Sequence, residues 1–269
     1  MIPHFDAESL DKAEVVLFGV PLKIGSHLES NSYDLAPKKI RDYTNEVFAP
    51  LKGKLPKAID YGDIEISNKN LSEDLDRIYF TAREYLEKNK KLVFLGGNHL
   101  ISYPVIKAIR DLEGEVSLVF FDAHPDSEEE DLSYASFVRY LIEEKVISNI
   151  IYIGINNPSY SELDFIKRNN LKCYTSVDVK YNMDGLLKDI QELVDKADNV
   201  YVSIDLDVFA FDGAHWLEPF GILPVDYLKI LYSIRWKNVI GFDLVEAKNA
   251  MGYKIAAKLL IENLANLFQ

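Results

Sequence analysis

The sequence predicts a three-layer α/β/α fold with a mainly parallel central sheet, on two observations. Short apolar, strand-like runs alternate with helix-like segments along most of the chain, the pattern of parallel strands joined by right-handed crossovers and covered on both faces. Three of those runs, far apart in sequence, also end in metal-binding side chains: His99 after residues 92–95, Asp122-Ala-His124-Pro-Asp126 after 116–121, and Asp205-Leu-Asp207 after 200–204. The carboxyl ends of neighbouring strands in an open α/β sheet share one crevice, where such folds place their sites. These six side chains are therefore expected to meet.

Taken in order, the apolar run 15–20 reads as a strand, and Ala36-Pro37 opens a helix through Arg41. Segments with helical spacing at 71–89, 102–112, 133–144, 160–169, 185–197, 225–234 and 253–268 read as helices. Between them, the apolar runs 92–95, 116–121, 150–153, 173–175, 200–204 and 239–242 read as strands. No linker rich in Pro, Gly or Ser divides the pattern, so one domain over 1–269 is expected. The longest stretch without an element, 208–224, follows the third metal-binding cluster directly. Loops of that length in a compact domain are usually functional or mobile, and this one is expected to form part of a pocket wall.

The bulk composition excludes several function classes. With 48% hydrophobic and 27% charged residues, the 269-residue chain is an ordinary globular protein with nothing to suggest disorder. The first apolar run is short and preceded by acids, which predicts neither a signal peptide nor a membrane span and makes the cytoplasm the expected location. The single cysteine, Cys173, has no partner for an internal disulfide and reads as a buried structural thiol. A net charge of −13 without a basic patch argues against nucleic acid and favours cationic ligands.

The spacing of two in Asp122-Ala-His124-Pro-Asp126 lets an extended segment aim all three side chains the same way, and Asp205 and Asp207 share that spacing. With His99 the set holds two imidazoles and four carboxylates and no thiolate, which suits Mn²⁺, Mg²⁺ or Fe²⁺ better than a structural Zn²⁺ site. Four carboxylates brought together repel unless protons or cations relieve them. Two divalent ions sharing carboxylates balance most of that charge. Each cluster alone also fits turn or capping chemistry; it is their joint placement at strand ends that points to metal.

At these residues the chain resembles the ureohydrolases, the arginase and agmatinase family. Gly96-Gly-Asn-His99 is similar to the family's Gly-Gly-Asp-His, Asp122 to Asp126 to Asp-Ala-His-x-Asp, and Ser203-Ile-Asp205-Leu-Asp207 to Ser-x-Asp-x-Asp. Gly19-Val-Pro21, Ala36-Pro37 with Ile40-Arg41, Asp60-Tyr-Gly-Asp63 and Gly241-Phe-Asp-Leu-Val-Glu246 extend the resemblance over nearly the whole chain. It implies an arginase-like fold and two Mn²⁺, one held by His99, Asp122, Asp126 and Asp205, the other by His124, Asp122, Asp205 and Asp207. It also implies hydrolysis of a guanidinium group to urea and an amine, by hydroxide from a water whose pKa the two ions lower. Asp126 is then expected to orient that hydroxide and pass its proton to the departing amine, and Glu246 to hold the guanidinium. A homo-oligomer, trimer or hexamer, is a further implication.

Three departures bear on the substrate. Asn98 stands where the family usually has Asp. Tyr134 stands where the agmatinase branch usually has a proton-shuttling His, and a tyrosine with a pKa of about 10 shuttles poorly at neutral pH. The loop after Asp207 lacks the family's Pro-Gly-Thr-Gly-Thr-Pro-like stretch, and His215, Trp216 and Glu218 are the candidate replacements there, His215 as the missing shuttle or a substrate contact and Trp216 as a stacking face for a cation. The segment around Tyr134 favours an agmatinase, with agmatine as the small cationic substrate. An arginase, another guanidino or formimino hydrolase, and a metal-binding relative without catalysis remain the alternatives. A binuclear phosphoesterase fits less well, because its Asp-x-His precedes its Gly-Asn-His and here the order is reversed.

Overall fold

The computed structural model describes residues 2, 5–25 and 32–268. In chain order the regular elements are β1 (Val15–Val20), α1 (Ser32–Tyr43), β2 (Ala58–Asp63), α2 (Leu71–Leu86), β3 (Lys91–Gly96), α3 (Ser102–Glu113), β4 (Val116–Phe121), α4 (Phe137–Glu143), β5 (Ile147–Ile155), α5 (Tyr160–Arg168), β6 (Lys172–Thr175), α6 (Ser176–Tyr181), α7 (Met183–Lys196), β7 (Asn199–Asp205), α8 (Pro224–Ser233), β8 (Val239–Val245) and α9 (Asn249–Leu267). All eight strands form one sheet in the order β2-β1-β3-β8-β7-β4-β5-β6, and every pairing is parallel. The expected α/β/α architecture is thus the observed one, with a sheet that is wholly parallel.

The apolar runs are continuous because the central strands are covered on both sides. Alternate residues of one strand, such as Val119 and Phe121 against Leu118 and Phe120, enter two separate cores. The first is closed by α1, α7, α8 and α9 through Ile40, Ile190, Ile230 and Leu260. The second is closed by α2, α3, α4 and α5 through Ile78, Ile106, Leu141 and Ile166.

Two elements have no counterpart in the sequence reading. Strand β2 lies at the sheet edge, pairs only with β1 and is mostly half-exposed, so Ala-Ile-Asp-Tyr-Gly-Asp carries no apolar run to reveal it. Helix α6 is only six residues long, opened by a capping box in which Thr175 and Asp178 satisfy each other's backbone N–H groups. The helix expected from Ser133 begins instead at Phe137. Ser136 Oγ accepts from Ser133 N at 2.9 Å and donates to Asp131 O at 2.9 Å, which ties 131–136 into a turn. Helix α1 starts four residues before Ala36 and carries Pro37 within it. Among the described residues, no helix is long and apolar enough to cross a membrane.

Candidate metal centre

The strand order places β3, β8, β7 and β4 side by side, and each delivers acids or a histidine at its carboxyl end. His99 opens a 3-10 turn after β3, Asp122 follows β4, Asp205 ends β7 with Asp207 in the next turn, and Glu246 follows β8. The chain leaves β3, builds β4, β5 and β6 outward, then returns to lay β7 and β8 in the gap. Side chains from four distant segments share one crevice for that reason.

His99 Nδ1 lies 3.0 Å from Asp122 Oδ2, 3.0 Å from Asp126 Oδ2 and 3.2 Å from Asp205 Oδ2. His124 Nδ1 lies 3.0 Å from Asp207 Oδ2 and 3.6 Å from Asp122 Oδ1. Two groups able to hold an ion result, His99 with Asp122 and Asp205, and His124 with Asp122 and Asp207, so Asp122 belongs to both. His99 Nδ1, Asp122 Oδ2 and Asp126 Oδ2 are buried yet form no hydrogen bond of proper angle. Donors about 3 Å apart and aimed at a common centre are what an ion with bonds of about 2.1 Å needs. The residues present therefore fit divalent metal.

A buried relay sets the histidine. Ser203 Oγ donates to Asp243 Oδ1 at 2.7 Å, and Asp243 Oδ2 accepts from Ser102 Oγ at 2.6 Å and Tyr201 OH at 2.9 Å. With its only proton spent on Asp243, Ser203 Oγ must accept from His99 Nε2–H at 2.8 Å. The tautomer that leaves the Nδ1 lone pair for a metal is thereby selected. The ring itself is stacked on Phe120, centroids 4.9 Å apart. On the other histidine, Glu218 Oε1 lies 3.3 Å from His124 Nε2 and accepts from Asn157 Nδ2 at 3.0 Å.

The electrostatics follow from crowding. Burial and the neighbouring Asp122 push the Asp126 carboxyl well above its ordinary range, and burial with Asp207 and Asp122 does the same to Asp205. Burial works against a charged His99, but Asp122, Asp126 and Asp205 outweigh it and raise that imidazole well above its usual value. Asp207, although buried, is held low by His124. Without cations the cluster must take up protons, and divalent ions replace them.

Two of the residues are in the left-handed backbone region that non-glycine residues rarely adopt, Asp126 at φ +47° and Glu246 at φ +61°. Such a conformation costs about 1–3 kcal/mol and persists only where surroundings enforce it. Here Val138 N donates to Asp126 O at 3.0 Å, Glu246 N to Gly97 O at 2.9 Å and His215 N to Glu246 O at 3.1 Å.

A pocket of about 290 Å³ opens onto the cluster, walled by Asp126, Asp205, Asp207, Glu246, His124, Tyr134, Trp216, Asn157, Glu128 and Glu162 among others. No Lys or Arg lies among its described lining residues. Tyr134 is on this wall, its phenol pushed up to about 12 by burial, Glu246 and Asp126. Loop 208–224 contributes Trp216, and it is pinned by Ala210 N donating to Ile222 O, by Ile222 N donating to Val208 O and by the bridge of Ala214 to Ala247. His215, expected at the substrate, does not line this pocket. Its ring is buried, its Nδ1 lies 2.9 Å from Glu246 O, and it stacks on Tyr33. Asn98 does not support a ligand through its side chain. Its Nδ2 donates to Ile24 O at 2.9 Å, holding the segment that precedes the pocket-side contact of Gly25 O with Tyr134 N.

The model of the arginase family matches residues 13–267. The chain belongs to the arginase family. It is a hydrolase of the ureohydrolase type, and its candidate ligand groups agree with the family's dependence on two metal ions. An agmatinase of Bacillus anthracis is 28% identical over 88% of this chain and 84% of its own. A formimidoylglutamase of Bacillus subtilis is also 28% identical, over 88% of this chain and 81% of its own. The crystal structure of an agmatine ureohydrolase of Thermoplasma volcanium superposes with a TM-score of 0.85 at 26% identity, covering 99% of this chain and 93% of that one. Relatives with different substrates are thus equally similar, and the pocket has to decide between them.

Sequence reasoning passed over Ser102, Tyr201 and Tyr33 beneath Glu246, and quoted Ser203 and Asp243 within motifs without seeing their supporting role. One signal was present, since Asp243 is a lone acid inside the apolar run of β8, where an unpartnered charge would be prohibitive.

Proposed function

We propose that this arginase-family hydrolase cleaves agmatine to putrescine and urea, with two Mn²⁺ as its metals, in the cytoplasm. The supporting observation is the charge of the pocket: Asp126, Glu128, Glu162, Asp205, Asp207 and Glu246 line it, and no cationic side chain does among its described residues. A substrate bearing a carboxylate, such as arginine, guanidinobutyrate or formiminoglutamate, finds no countercharge among the described lining residues. A guanidinium with a distal ammonium finds acids for both ends.

Bound metal at the two groups supplies hydroxide from water near neutral pH. The chain's own residues do the rest. Glu246 offers carboxylate lone pairs to the guanidinium N–H groups. With the ions bound, Asp126 would carry the proton of the attacking oxygen to the alkyl nitrogen as its bond to the guanidinium carbon breaks, so that urea and a neutral amine would leave. Tyr134 holds its proton throughout and packs against the substrate as a wall.

The test is urea release from agmatine and from arginine by Mn²⁺-loaded protein, with chelator-treated protein and Asp126→Asn as controls. Metal-dependent release from agmatine alone, lost in the variant, is the expected result. Release from arginine in preference to agmatine would overturn the substrate assignment. The trimer or hexamer implied by the family resemblance is read from sedimentation of the same preparation.

A further inference from the structure

Two residues outside the metal groups and outside the pocket lining converge on Glu246. Tyr33, from α1, donates its hydroxyl to Glu246 Oε2 at 2.9 Å. His215, from the loop after β7, places Nδ1 3.3 Å from the same oxygen and 2.9 Å from the Glu246 backbone carbonyl. The two rings stack with centroids 3.7 Å apart and planes 20° from parallel. Both side chains are buried. The other carboxylate oxygen, Oε1, accepts from His99 N at 2.9 Å.

We propose that Tyr33 and His215 are positioning residues that set the orientation of the Glu246 carboxylate, and through it the recognition of guanidinium; this rests on the reading of Glu246 given above. A carboxylate has about four lone-pair sites. Tyr33 and the His99 N–H take one on each oxygen, which leaves a further one on each. Two parallel N–H groups of a guanidinium require that pair. His215, anchored to the Glu246 carbonyl, cannot turn, and its face fixes the Tyr33 phenol against which it lies. The site is preorganised by groups that never touch substrate.

The experiment uses Mn²⁺-loaded protein and the variants Tyr33→Phe, His215→Ala, His215→Asn and Glu246→Gln, measuring KM and kcat for agmatine, bound metal, and the crystal structure of Tyr33→Phe. Tyr33→Phe and His215→Ala are expected to raise KM about tenfold with kcat and metal content retained, the signature of lost uniform binding. His215→Asn, whose amide nitrogen stands near the place of Nδ1, is expected to restore KM. An unchanged KM in Tyr33→Phe while Glu246→Gln raises it overturns the positioning role and leaves the reading of Glu246 intact. An unchanged KM in Glu246→Gln, or no turnover by the wild type, overturns that reading instead. The crystal structure then decides the positioning role alone: a Glu246 carboxylate rotated away from His99 N supports it, and an unmoved carboxylate refutes it.

Discussion

Asp243→Asn tests the relay beneath His99. The carboxylate accepts from Ser102 Oγ and Tyr201 OH on Oδ2 and from Ser203 Oγ on Oδ1, all fully buried partners. An amide keeps one acceptor oxygen, so with Ser203 retained its NH₂ faces two hydroxyl donors. Hydrogen bonds to a charged group contribute about 1.5–3 kcal/mol each, and losing two costs about 3–6 kcal/mol out of a total stability of about 5–15 kcal/mol. For a chain of this size that lowers Tm by roughly 6 °C or more. In the opposite flip, Ser203 loses its acceptor and turns its proton toward His99 Nε2. The ring proton moves to Nδ1, and metal affinity falls roughly 10–100-fold. Thermal unfolding with and without Mn²⁺, together with calorimetric titration of Mn²⁺, reads both effects. A variant that melts within about 2 °C of the wild type and binds Mn²⁺ equally well would refute the relay.

Other outcomes follow from the same geometry. Asp126 and Asp205 bind protons in the metal-free native state at pH values where unfolded aspartates, with pKa about 3.9, do not. Chelator-treated protein is therefore expected to lose stability as pH rises above the unfolded aspartate value of about 3.9, and a Tm that climbs with pH above it would contradict the sign. Adding Mn²⁺ to metal-free protein in weak buffer is expected to release protons, which titration in buffers of different ionisation enthalpy detects. With its phenol pushed up to about 12, Tyr134 stays protonated and does not cycle its proton at neutral pH, so Tyr134→Phe is expected to leave kcat well short of the roughly 10²–10⁴-fold loss of a general acid or base. A pH–rate limb that disappears in that variant would give Tyr134 the shuttle role after all.

What the sequence determined by itself was whatever depends on short-range pattern. Alternation of apolar runs with helical segments specified a parallel α/β sheet, because a strand buried on both faces must be continuously apolar. The spacing of Asp122, His124 and Asp126, and of Asp205 and Asp207, marked the ligands, but tight turns rather than extended chain bring them together: Asp122 Oδ1 accepts from His124 N and Asp205 Oδ1 from Asp207 N, and Asp126 is left-handed. Strand β2 and helix α6 escaped notice because an edge strand and a six-residue helix bury too little to impose a pattern. The tertiary structure alone decided which strands are neighbours. Laying β8 and β7 between β3 and β4 brings Glu246 to the backbone of His99 and Asp205 to its ring, across separations of 147 and 106 residues. It likewise decided that Tyr33 and His215 close on one carboxylate, and that Asp243, an acid in the middle of an apolar strand, meets three hydroxyls. Contacts of that kind leave no periodic trace in the chain, since each depends on the crossover order of the sheet rather than on the residues beside it.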